Sequence, residues 1–516
     1  MIPGAPGPRP SDRIARVRII ALVGWALTIA SGVSAQPVFA QPGPSALAAA
    51  QAPVEPRVAV TRHTGHFNGE DVSYTATVAD NFVDGPDGHP GASVITIAYT
   101  RDDVADPVRR PVIFAFNGGP GASSSPLHLS ALGPMRKGAD DAGQGPLVEN
   151  PFSPLDAADI VFIDPVGTGF SRAFAGEDDK YWYTGATDAT AVRSAILNWL
   201  KVNGREASPR YLAGESYGTT RAALIASDTA SLTFDGVMLI ALSAPVTGRE
   251  MPFVVSLPTM AAGAWHHRRI DRAGRSVAQV YDEALAFART DYVEALILGS
   301  SLADADRRRV AESMSALIGL STDLILAQDL RISSNVWMFN LLKDQGLRTG
   351  LLDVRVTTPM AAGALGALDD PSLGVVPRGR PGDPPPTPAS IGPIVNATLG
   401  DYISNTLGFA SDEPYYSLNF LVNAAWSHGD SPNAMEGLAE ALKARPEMRV
   451  FWAAGYYDLT TPAYAGRYVL DQVGMPASQL TATYFAGPHG VYDGEDNLQR
   501  FGKALRDFVG VATLPD

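Results

Sequence analysis

Short, nearly continuous apolar runs recur along the chain and alternate with helical stretches. Runs of this kind are typical of strands that are buried on both faces of a parallel sheet. They lie at residues 112–116, 160–163, 211–213, 237–242, 450–454 and 481–485. The clearest helix, residues 188–203, carries its apolar side chains on one face and stops before Gly204. Strands that alternate with helices predict an α/β fold with a mostly parallel central sheet.

The apolar runs fall into two groups separated by about 200 residues of helical composition. We therefore predict a core built from residues 66–248 and 448–516, with a large, mainly helical cap insertion over 249–447. Residues 71–78 and 92–99 are predicted to form an opening antiparallel pair of strands. The proline-rich stretch 377–388 cannot be helix or central strand, so it is predicted to be an exposed loop, with a recognition motif as the alternative.

The first residues follow the pattern of a secretory signal peptide. Arg13, Arg16 and Arg18 precede an apolar run at 19–30, and small residues follow that run. We predict a cleaved signal peptide over 1–35, and hence a periplasmic or secreted protein, with an uncleaved anchor as the alternative. Residues 36–65 are predicted to be a disordered leader, because their first two thirds are rich in Ala, Pro and Gln.

Charge and cysteine content exclude several classes of partner and site. The chain has 40 Lys and Arg against 54 Asp and Glu, a net charge of −14 and no cysteine. An acidic chain disfavours nucleic acids and anionic membranes as partners. The lack of cysteine removes disulfides, thiolate metal sites and cysteine nucleophiles. His128 and His428 have no carboxylate at metal-ligand spacing. No metal or other cofactor is predicted, and the oligomeric state stays open.

A candidate nucleophile stands in a glycine-flanked turn. Residues 214–218 read Gly-Glu-Ser-Tyr-Gly, a G-x-S-x-G motif between a predicted strand and a predicted helix. In this setting a sharp turn exposes the serine hydroxyl above the sheet. Ser216 is therefore the candidate nucleophile, and a solvent-facing serine in an ordinary turn is the alternative.

A serine hydroxyl needs a base within hydrogen-bond reach and a group that orients the base. Asp458 follows the predicted strand at 450–454, and His489 follows the one at 481–485. The order serine, acid, histidine is that of α/β hydrolases. We predict Ser216, Asp458 and His489 as a catalytic triad, although each residue alone could be a turn cap or a surface side chain.

Acyl transfer also needs donors directed at the developing oxyanion. The loop Asn-Gly-Gly-Pro-Gly at 117–121 directly follows the predicted strand 112–116. The backbone amides of Gly119 and Tyr217 are the predicted oxyanion hole. A phosphate cradle is the alternative, but no Lys-Ser or Lys-Thr follows the glycines.

Several motifs together resemble one peptidase family. They are Asn-Gly-Gly-Pro-Gly-Ala-Ser-Ser at 117–124, Leu-Gly-Pro at 132–134, Asp-Pro-Val-Gly-Thr-Gly-Phe-Ser at 164–171, the serine motif at 214–218, the stretch 455–462 and the late His489. In this order they resemble the serine carboxypeptidases, the α/β-hydrolase family that includes carboxypeptidase Y, and suggest a bacterial-type secreted member. The resemblance implies the same triad and oxyanion hole, and it implies that Asn117, Gly118 and Glu215 bind a substrate's terminal carboxylate.

The chain departs from the family beside that carboxylate site. Glu215 can hydrogen-bond a carboxylate only when it is itself protonated. The family pairs this residue with a second Glu just before the Leu-Gly-Pro segment, and that position is Ala131 here. Ala115 and Ala122 replace a family Trp and Cys, and Pro488 separates Gly487 from the histidine. The triad residues are all present.

The sequence thus predicts a secreted or periplasmic serine peptidase that releases C-terminal residues from peptides through an acyl-enzyme. An esterase or acyltransferase on the same triad is the first alternative, because the same groups act on amides and esters. A binding protein with an inactive hydrolase fold is the alternative from another class.

Overall fold

The protein is built around a mixed central sheet. The structure, a computed structural model, describes residues 55–138, 146–243, 245–360, 370–373, 387–427 and 434–510. The predicted signal peptide, residues 36–54 of the predicted leader and residues 377–386 of the predicted proline-rich loop lie outside these ranges.

Sixteen strands occur in the described ranges. In chain order, β1 to β16 are Val58–Phe67, Glu70–Asp84, Pro90–Arg101, Val112–Phe116, Met135–Lys137, Leu147–Glu149, Asp159–Asp164, Arg172–Ala173, Arg210–Glu215, Gly236–Ile240, Leu347–Thr349, Thr357–Pro359, Pro393–Val395, Tyr416–Asn419, Arg449–Gly455 and Leu480–Phe485. The central sheet has the order β1-β2-β3-β7-β4-β9-β10-β15-β16, and β8 pairs with β3. Strands β7, β4, β9, β10, β15 and β16 run parallel, whereas β1, β2, β3, β7 and β8 pair antiparallel. The predicted mostly parallel sheet is confirmed.

Helices cover the sheet on both faces. In chain order, α1 to α15 are Ser125–Leu127, Gly185–Val202, Tyr217–Ser227, Met251–His266, Val277–Phe287, Val293–Leu298, Asp304–Ile318, Thr322–Ala327, Ser334–Asn340, Pro388–Ile391, Ala397–Asp401, Phe420–Ala425, Ala434–Ala444, Ala463–Gln472 and Glu495–Gly510. None of the helices in the described ranges is both long enough and apolar enough to cross a membrane.

The alternation of side chains along β4 divides the core into two layers. Val112, Phe114 and Phe116 belong to one buried cluster, which also holds residues of α2, α3, α13 and α14. Ile113 and Ala115 belong to the other, which holds residues of α15. Because successive side chains of a strand point to opposite faces, an all-apolar strand implies helices on both sides. This explains why the central strands carry continuous apolar runs.

Helices α4 to α9 lie within the predicted cap, and their buried residues belong to the same cluster as α2 and α3. Helices α7 and α8 are separate, because Gly319 takes a left-handed φ of 73° at the end of α7. Helix α13 lies before residue 447 but packs against α3 beside the sheet. The boundaries at 249 and 447 therefore remain predictions, with at least one core helix inside them.

The sheet begins earlier than the predicted core start at residue 66. Strand β1 begins at Val58 and pairs with β2 along its whole length. The last part of the predicted leader, residues 58–65, is thus a strand. The sequence of β1 has no apolar pattern, because β1 is an edge strand in which only Phe67 is buried. An edge strand needs few core-facing residues, so its pattern differs little from that of a loop.

Candidate active site

Ser216 occupies a strained turn between β9 and α3. Its backbone has φ 59° and ψ −131°, a region that non-glycine residues seldom adopt. Its amide donates to the carbonyl oxygen of Ile240 at 2.9 Å, and its carbonyl oxygen accepts from the amide of Thr219 at 2.9 Å. These bonds hold the turn at the carboxyl ends of the parallel strands, where α/β proteins place their sites.

The glycines on either side of Ser216 are required by close backbone contacts. A Cβ atom on Gly214 would lie 2.1 Å from the carbonyl oxygen of Gly218. A Cβ atom on Gly218 would lie 2.9 Å from the carbonyl oxygen of Phe116, at the end of β4. The G-x-S-x-G pattern thus reflects packing of the turn on itself and on the neighbouring strand.

The predicted acid and base are hydrogen-bonded to each other. His489 Nδ1 lies 2.8 Å from Asp458 Oδ2, and Asp458 is fully buried. Asp458 Oδ1 also accepts from the backbone amides of Thr460 and Thr461, at 2.9 and 3.0 Å, and the Thr461 hydroxyl donates to Oδ2. These donors hold the carboxylate in one orientation. A carboxylate at Nδ1 leaves Nε2 of the ring to exchange a proton.

The loops that carry this pair pack closely at the ends of β15 and β16. A Cβ atom on Gly455 would lie 2.2 Å from the carbonyl oxygen of Pro488, so β15 approaches the histidine loop as closely as backbone allows. The amide of His489 donates to the carbonyl oxygen of Leu352 at 2.9 Å. Asp370 in turn accepts from the amides of Leu351 and Leu352. A segment of the predicted cap thus holds the histidine loop.

Opposing effects act on the pKa of His489. Burial disfavours the imidazolium, but the charge and hydrogen bond of Asp458 favour it, followed by the charges of Glu215 and Asp370. The net effect raises the pKa of His489 above its ordinary value of 6.5. Carboxylates around an imidazole strengthen it as a base, which suits proton abstraction from a hydroxyl.

The predicted oxyanion loop touches the serine turn directly. A Cβ atom on Gly118 would lie 2.3 Å from the amide nitrogen of Tyr217 and 2.8 Å from the carbonyl oxygen of Glu215. Gly119 has φ 96°, a conformation that L side chains rarely adopt. The loop and the turn are therefore in backbone contact, which brings the predicted donor residues Gly119 and Tyr217 to one place.

A buried ion pair between Arg221 and Asp188 contacts the backbone of the oxyanion loop. Arg221 Nε lies 2.6 Å from Asp188 Oδ2, and Arg221 Nη1 donates to the carbonyl oxygen of Asn117 at 2.5 Å. Both charged side chains are buried. Burial raises the pKa of Asp188, and the charge of Arg221 opposes that effect. Helices α2 and α3 are thus tied to the first residue of the loop.

Glu215 has a hydrogen bond on each of its oxygens. Asn117 Nδ2 donates to Oε1 at 2.8 Å, and the Tyr492 hydroxyl donates to Oε2 at 2.7 Å. Burial raises the pKa of Glu215 to about 7, against the charge of His489 and the two donors, which lower it. The predicted carboxylate-binding residues Asn117 and Glu215 are therefore together, and Glu215 is largely protonated below neutral pH. Ala131 is buried, and Tyr492 supplies the second partner of Glu215.

A later part of the predicted cap closes over the oxyanion loop. Asn419 donates from its amide to the carbonyl oxygen of Gly121 at 2.8 Å, and Asn423 Nδ2 donates to that of Pro120 at 3.2 Å. The ring of Trp426 lies 5.1 Å from that of Tyr217. Residues 416–426 thus form an aromatic and amide wall beside the serine turn.

Three residues of this arrangement were missed by sequence reasoning. They are Arg221, Asp370 and Tyr492. A buried ion pair of Arg221 could have been predicted, because a charged residue among the small residues of the helix after the serine requires a buried partner. Tyr492 and Asp370 could not have been predicted in this way, because their partners are distant in sequence.

Two of the histidines outside the triad, His128 and His267, have structural contacts. His128, which is fully buried, lies 2.7 Å through Nε2 from the Tyr99 hydroxyl and stacks on Phe162. Burial lowers its pKa to about 3. His267 Nε2 lies 2.8 Å from the carbonyl oxygen of Val354, and its side chain is only partly exposed. Within the described ranges, no group of three or more His, Asp or Glu side chains is arranged to hold a metal ion.

Sequence comparison finds a family match for part of the chain. A model of the serine carboxypeptidase family matches residues 99–230. Serine carboxypeptidase-like 36 of Arabidopsis thaliana is 36% identical over 114 residues, which are 21% of this chain and 22% of that protein. The pheromone-processing carboxypeptidase kex1 of Sclerotinia sclerotiorum is 38% identical over 112 residues, 21% of this chain and 16% of that protein. The chain thus matches about a fifth of the length of these curated relatives.

The fold extends the similarity beyond the matched residues. The crystal structure of a prohormone-processing carboxypeptidase from Saccharomyces cerevisiae superposes with a TM-score of 0.50 at 16% sequence identity. The superposition covers 84% of this chain and 91% of that one. At this identity the likeness shows the fold. The shared fold and the family match at residues 99–230 confirm the predicted resemblance to the serine carboxypeptidases.

Proposed function

We propose that the protein is a serine-type carboxypeptidase that releases C-terminal residues from peptides through an acyl-enzyme on Ser216. The observation that carries the proposal is the bonded pair of Asp458 and His489 at the strand ends beside the strained Ser216 turn. The family of the matched residues supports the same reaction. A buried carboxylate, an imidazole and a serine on a sharp turn are the groups that acyl transfer requires.

In the proposed first step, Ser216 Oγ attacks the carbonyl carbon of the last peptide bond. His489 Nε2 accepts the hydroxyl proton and then donates it to the leaving amine, so that the C–N bond breaks and the ester forms. In the second step, a water attacks the ester with the same base, and Ser216 recovers its proton. Asp458 fixes the imidazole tautomer and stabilises the imidazolium.

The amides of Gly119 and Tyr217 are the proposed donors to the negatively charged oxygen of both tetrahedral intermediates. The contact between Gly118 and the Tyr217 amide supports this assignment, since it brings the loop and the turn together. Preorganised amides stabilise this charge without reorganisation during the reaction.

Preference for a free C-terminus is proposed to come from Asn117, Gly118 and Glu215. A protonated Glu215 can donate to the substrate's carboxylate, and its pKa of about 7 supports the protonated form in acid. Peptide amides lack the negative charge and are expected to be poorer substrates at acid pH.

The proposal is tested with a fluorophosphonate probe and a matched pair of peptides, one with a free C-terminus and one amidated. Ser216 is expected to be labelled, and Ser216→Ala is expected to abolish both labelling and turnover. Ser194→Ala is the control, because the hydroxyl of this half-buried residue donates to the carbonyl oxygen of Thr190 within α2. Full turnover by Ser216→Ala would refute the proposal.

Substrate comparison separates the proposal from its alternatives. Equal cleavage of the acid and the amide would indicate a broader peptidase or esterase. The observation that favours this alternative is that both oxygens of Glu215 already accept hydrogen bonds within the protein. Absence of labelling would indicate a binding protein. The acidic charge of the chain supports a peptide rather than a nucleic acid as substrate.

We also propose that the protein is exported through a cleaved signal peptide and acts in the periplasm or outside the cell. The support is the sequence pattern of residues 1–35. Mass spectrometry of the protein from a fractionated native host tests this proposal, and an intact N-terminus in the cytoplasmic fraction would overturn it.

A further inference from the structure

Tyr492 makes a contact with Glu215 that the proposed mechanism does not use. Its hydroxyl donates to Glu215 Oε2 at 2.7 Å, and both side chains are about 95% buried, with exposed fractions of 5% and 4%. Tyr492 stands three residues after His489, and its ring packs 5.5 Å from that of Phe501 on α15. The phenol is therefore held rigidly between the histidine loop and the last helix.

The contact concerns the proton that Glu215 needs for its proposed role. Burial raises the pKa of Tyr492 well above its ordinary value, so the phenol keeps its proton and acts as the donor. A donor to a carboxylate stabilises the ionised form of that carboxylate. The hydrogen bond from Tyr492 therefore lowers the pKa of Glu215, whereas burial raises it.

We propose that Tyr492 is a specificity-determining residue, whose hydroxyl sets the pH up to which Glu215 can receive a substrate's free C-terminus. The inference rests on the proposed carboxypeptidase function. The phenol of Tyr492 is a neutral partner: it donates a hydrogen bond to Glu215 but does not transfer its proton to the carboxylate. A carboxyl partner would instead compete for a shared proton and keep one of the two groups protonated to higher pH.

Other groups around Glu215 act on the same equilibrium. The charge of His489 and the bond from Asn117 favour the ionised form, and the charge of Asp458 opposes it. Asp493, next to Tyr492, acts on the phenol. None of these groups is removed by Tyr492→Phe, so the variant isolates the effect of one hydrogen bond.

The experiment compares kcat/KM for the free-acid peptide with kcat/KM for its amide as a function of pH. For the wild type, this ratio is expected to fall with a midpoint near pH 7 as Glu215 ionises. In Tyr492→Phe the lost donor destabilises the carboxylate, and the midpoint is expected to rise by about one pH unit or more. An unchanged or lowered midpoint in a variant with unchanged Tm would overturn the proposal.

A second readout makes the test independent of turnover. Infrared titration follows the carbonyl band of the protonated carboxyl, assigned to Glu215 by its loss in Glu215→Gln, and the same upward shift is expected in Tyr492→Phe. If the wild type cleaves neither peptide, the proposed function fails and the specificity role fails with it. The infrared midpoint then still decides whether Tyr492 controls Glu215.

Two controls guard against a general effect of removing a buried hydroxyl. Tyr281 is a buried residue of α5, and its hydroxyl has no hydrogen-bond partner among the described residues. Tyr281→Phe should leave both midpoints in place. In a Glu215→Gln background, where position 215 cannot ionise, adding Tyr492→Phe should produce no further change in the pH dependence of the ratio. A shift in that background would show that Tyr492 acts through another group and would overturn the proposal.

Discussion

Arg221 donates from its guanidinium to the carbonyl oxygen of Asn117 at 2.5 Å while it pairs with Asp188 at 2.6 Å. One buried cation therefore joins two helices to the loop that carries the proposed oxyanion donors. The guanidinium carbon, Cζ, also lies 5.4 Å from the ring centroids of Phe116 and of Tyr217. The position of the loop relative to the serine turn thus depends on a charge that sits behind the site.

Arg221→Met is expected to destabilise the protein by about 3–5 kcal/mol, because Asp188 would remain buried without a partner. Adding Asp188→Asn removes that charge and should recover a large part of the loss. Chemical denaturation of both variants measures the free energies of unfolding. Equal stability of the single and double variants would contradict the prediction.

The same pair of variants separates stability from loop position. The double variant still lacks the donor to the Asn117 carbonyl oxygen, so its fluorophosphonate labelling is expected to be at least tenfold slower than that of the wild type, as for the loss of a transition-state interaction of about 1.4 kcal/mol. Arg193 forms an ion pair with Asp228 nearer the surface of α2. Arg193→Met is therefore the control and should label at the wild-type rate.

Asp458→Asn is expected to reduce kcat/KM for the free-acid peptide by about 10⁴-fold, since the amide would stabilise the wrong imidazole tautomer. The fold should survive, because Oδ1 would still accept from the amides of Thr460 and Thr461. Steady-state kinetics and circular dichroism test the two statements. Loss of less than tenfold would remove Asp458 from the proposed triad.

Gly118→Ala tests the contact between the oxyanion loop and the serine turn. The new Cβ atom would lie 2.3 Å from the amide nitrogen of Tyr217, so the loop must move and turnover is expected to fall by about 100-fold or more. Gly85 directly follows β2, and a Cβ atom there would have its nearest neighbours 3.6 Å away, an ordinary van der Waals distance. Gly85→Ala should have wild-type activity in the same assay, and equal losses in both variants would contradict the prediction.

The sequence predicted the parts of the site that depend on local backbone chemistry. The glycines around Ser216 and the apolar runs of β4, β9 and β15 are local patterns, and each corresponds to an observed element. Contacts between distant segments were not predictable in this way. The pairing of Tyr492 with Glu215 spans 277 residues, and that of Arg221 with Asn117 spans 104. Neither residue type nor spacing indicates which of many polar side chains will meet in the fold.

Edge strands and elements of the insertion were also difficult to predict from the sequence, for a different physical reason. Strand β1 is largely exposed, so its sequence follows solvent exposure rather than core packing. The segment around Asp370 supports the His489 loop through backbone amides, which any residue supplies. Backbone contacts of this type leave no side-chain pattern for sequence reasoning to find.

The pH dependence of turnover should distinguish the ionisation of His489 from that of Glu215. His489 must be neutral to act as a base, and its raised pKa places the rising limb of kcat/KM above pH 6.5 for the acid and the amide alike. The falling limb near pH 7 from Glu215 should occur with the free acid only. The free acid should therefore give a narrow bell-shaped profile, and the amide should rise to a plateau. A falling limb of equal midpoint in both profiles would exclude Glu215 as its cause.

Asp370→Asn tests the charge behind the histidine loop. The negative charge of Asp370 raises the pKa of His489, so its removal should lower that pKa and move the rising limb of the amide profile to lower pH. Asp370 also accepts from the amide of Leu352, whose carbonyl oxygen accepts from His489, so a loss of about 1–3 kcal/mol in stability is expected as well. Asp344→Asn, which removes a surface partner of Arg269, is the matched control and should leave the profile in place. A destabilised Asp370→Asn variant with an unmoved rising limb would assign Asp370 a structural role alone.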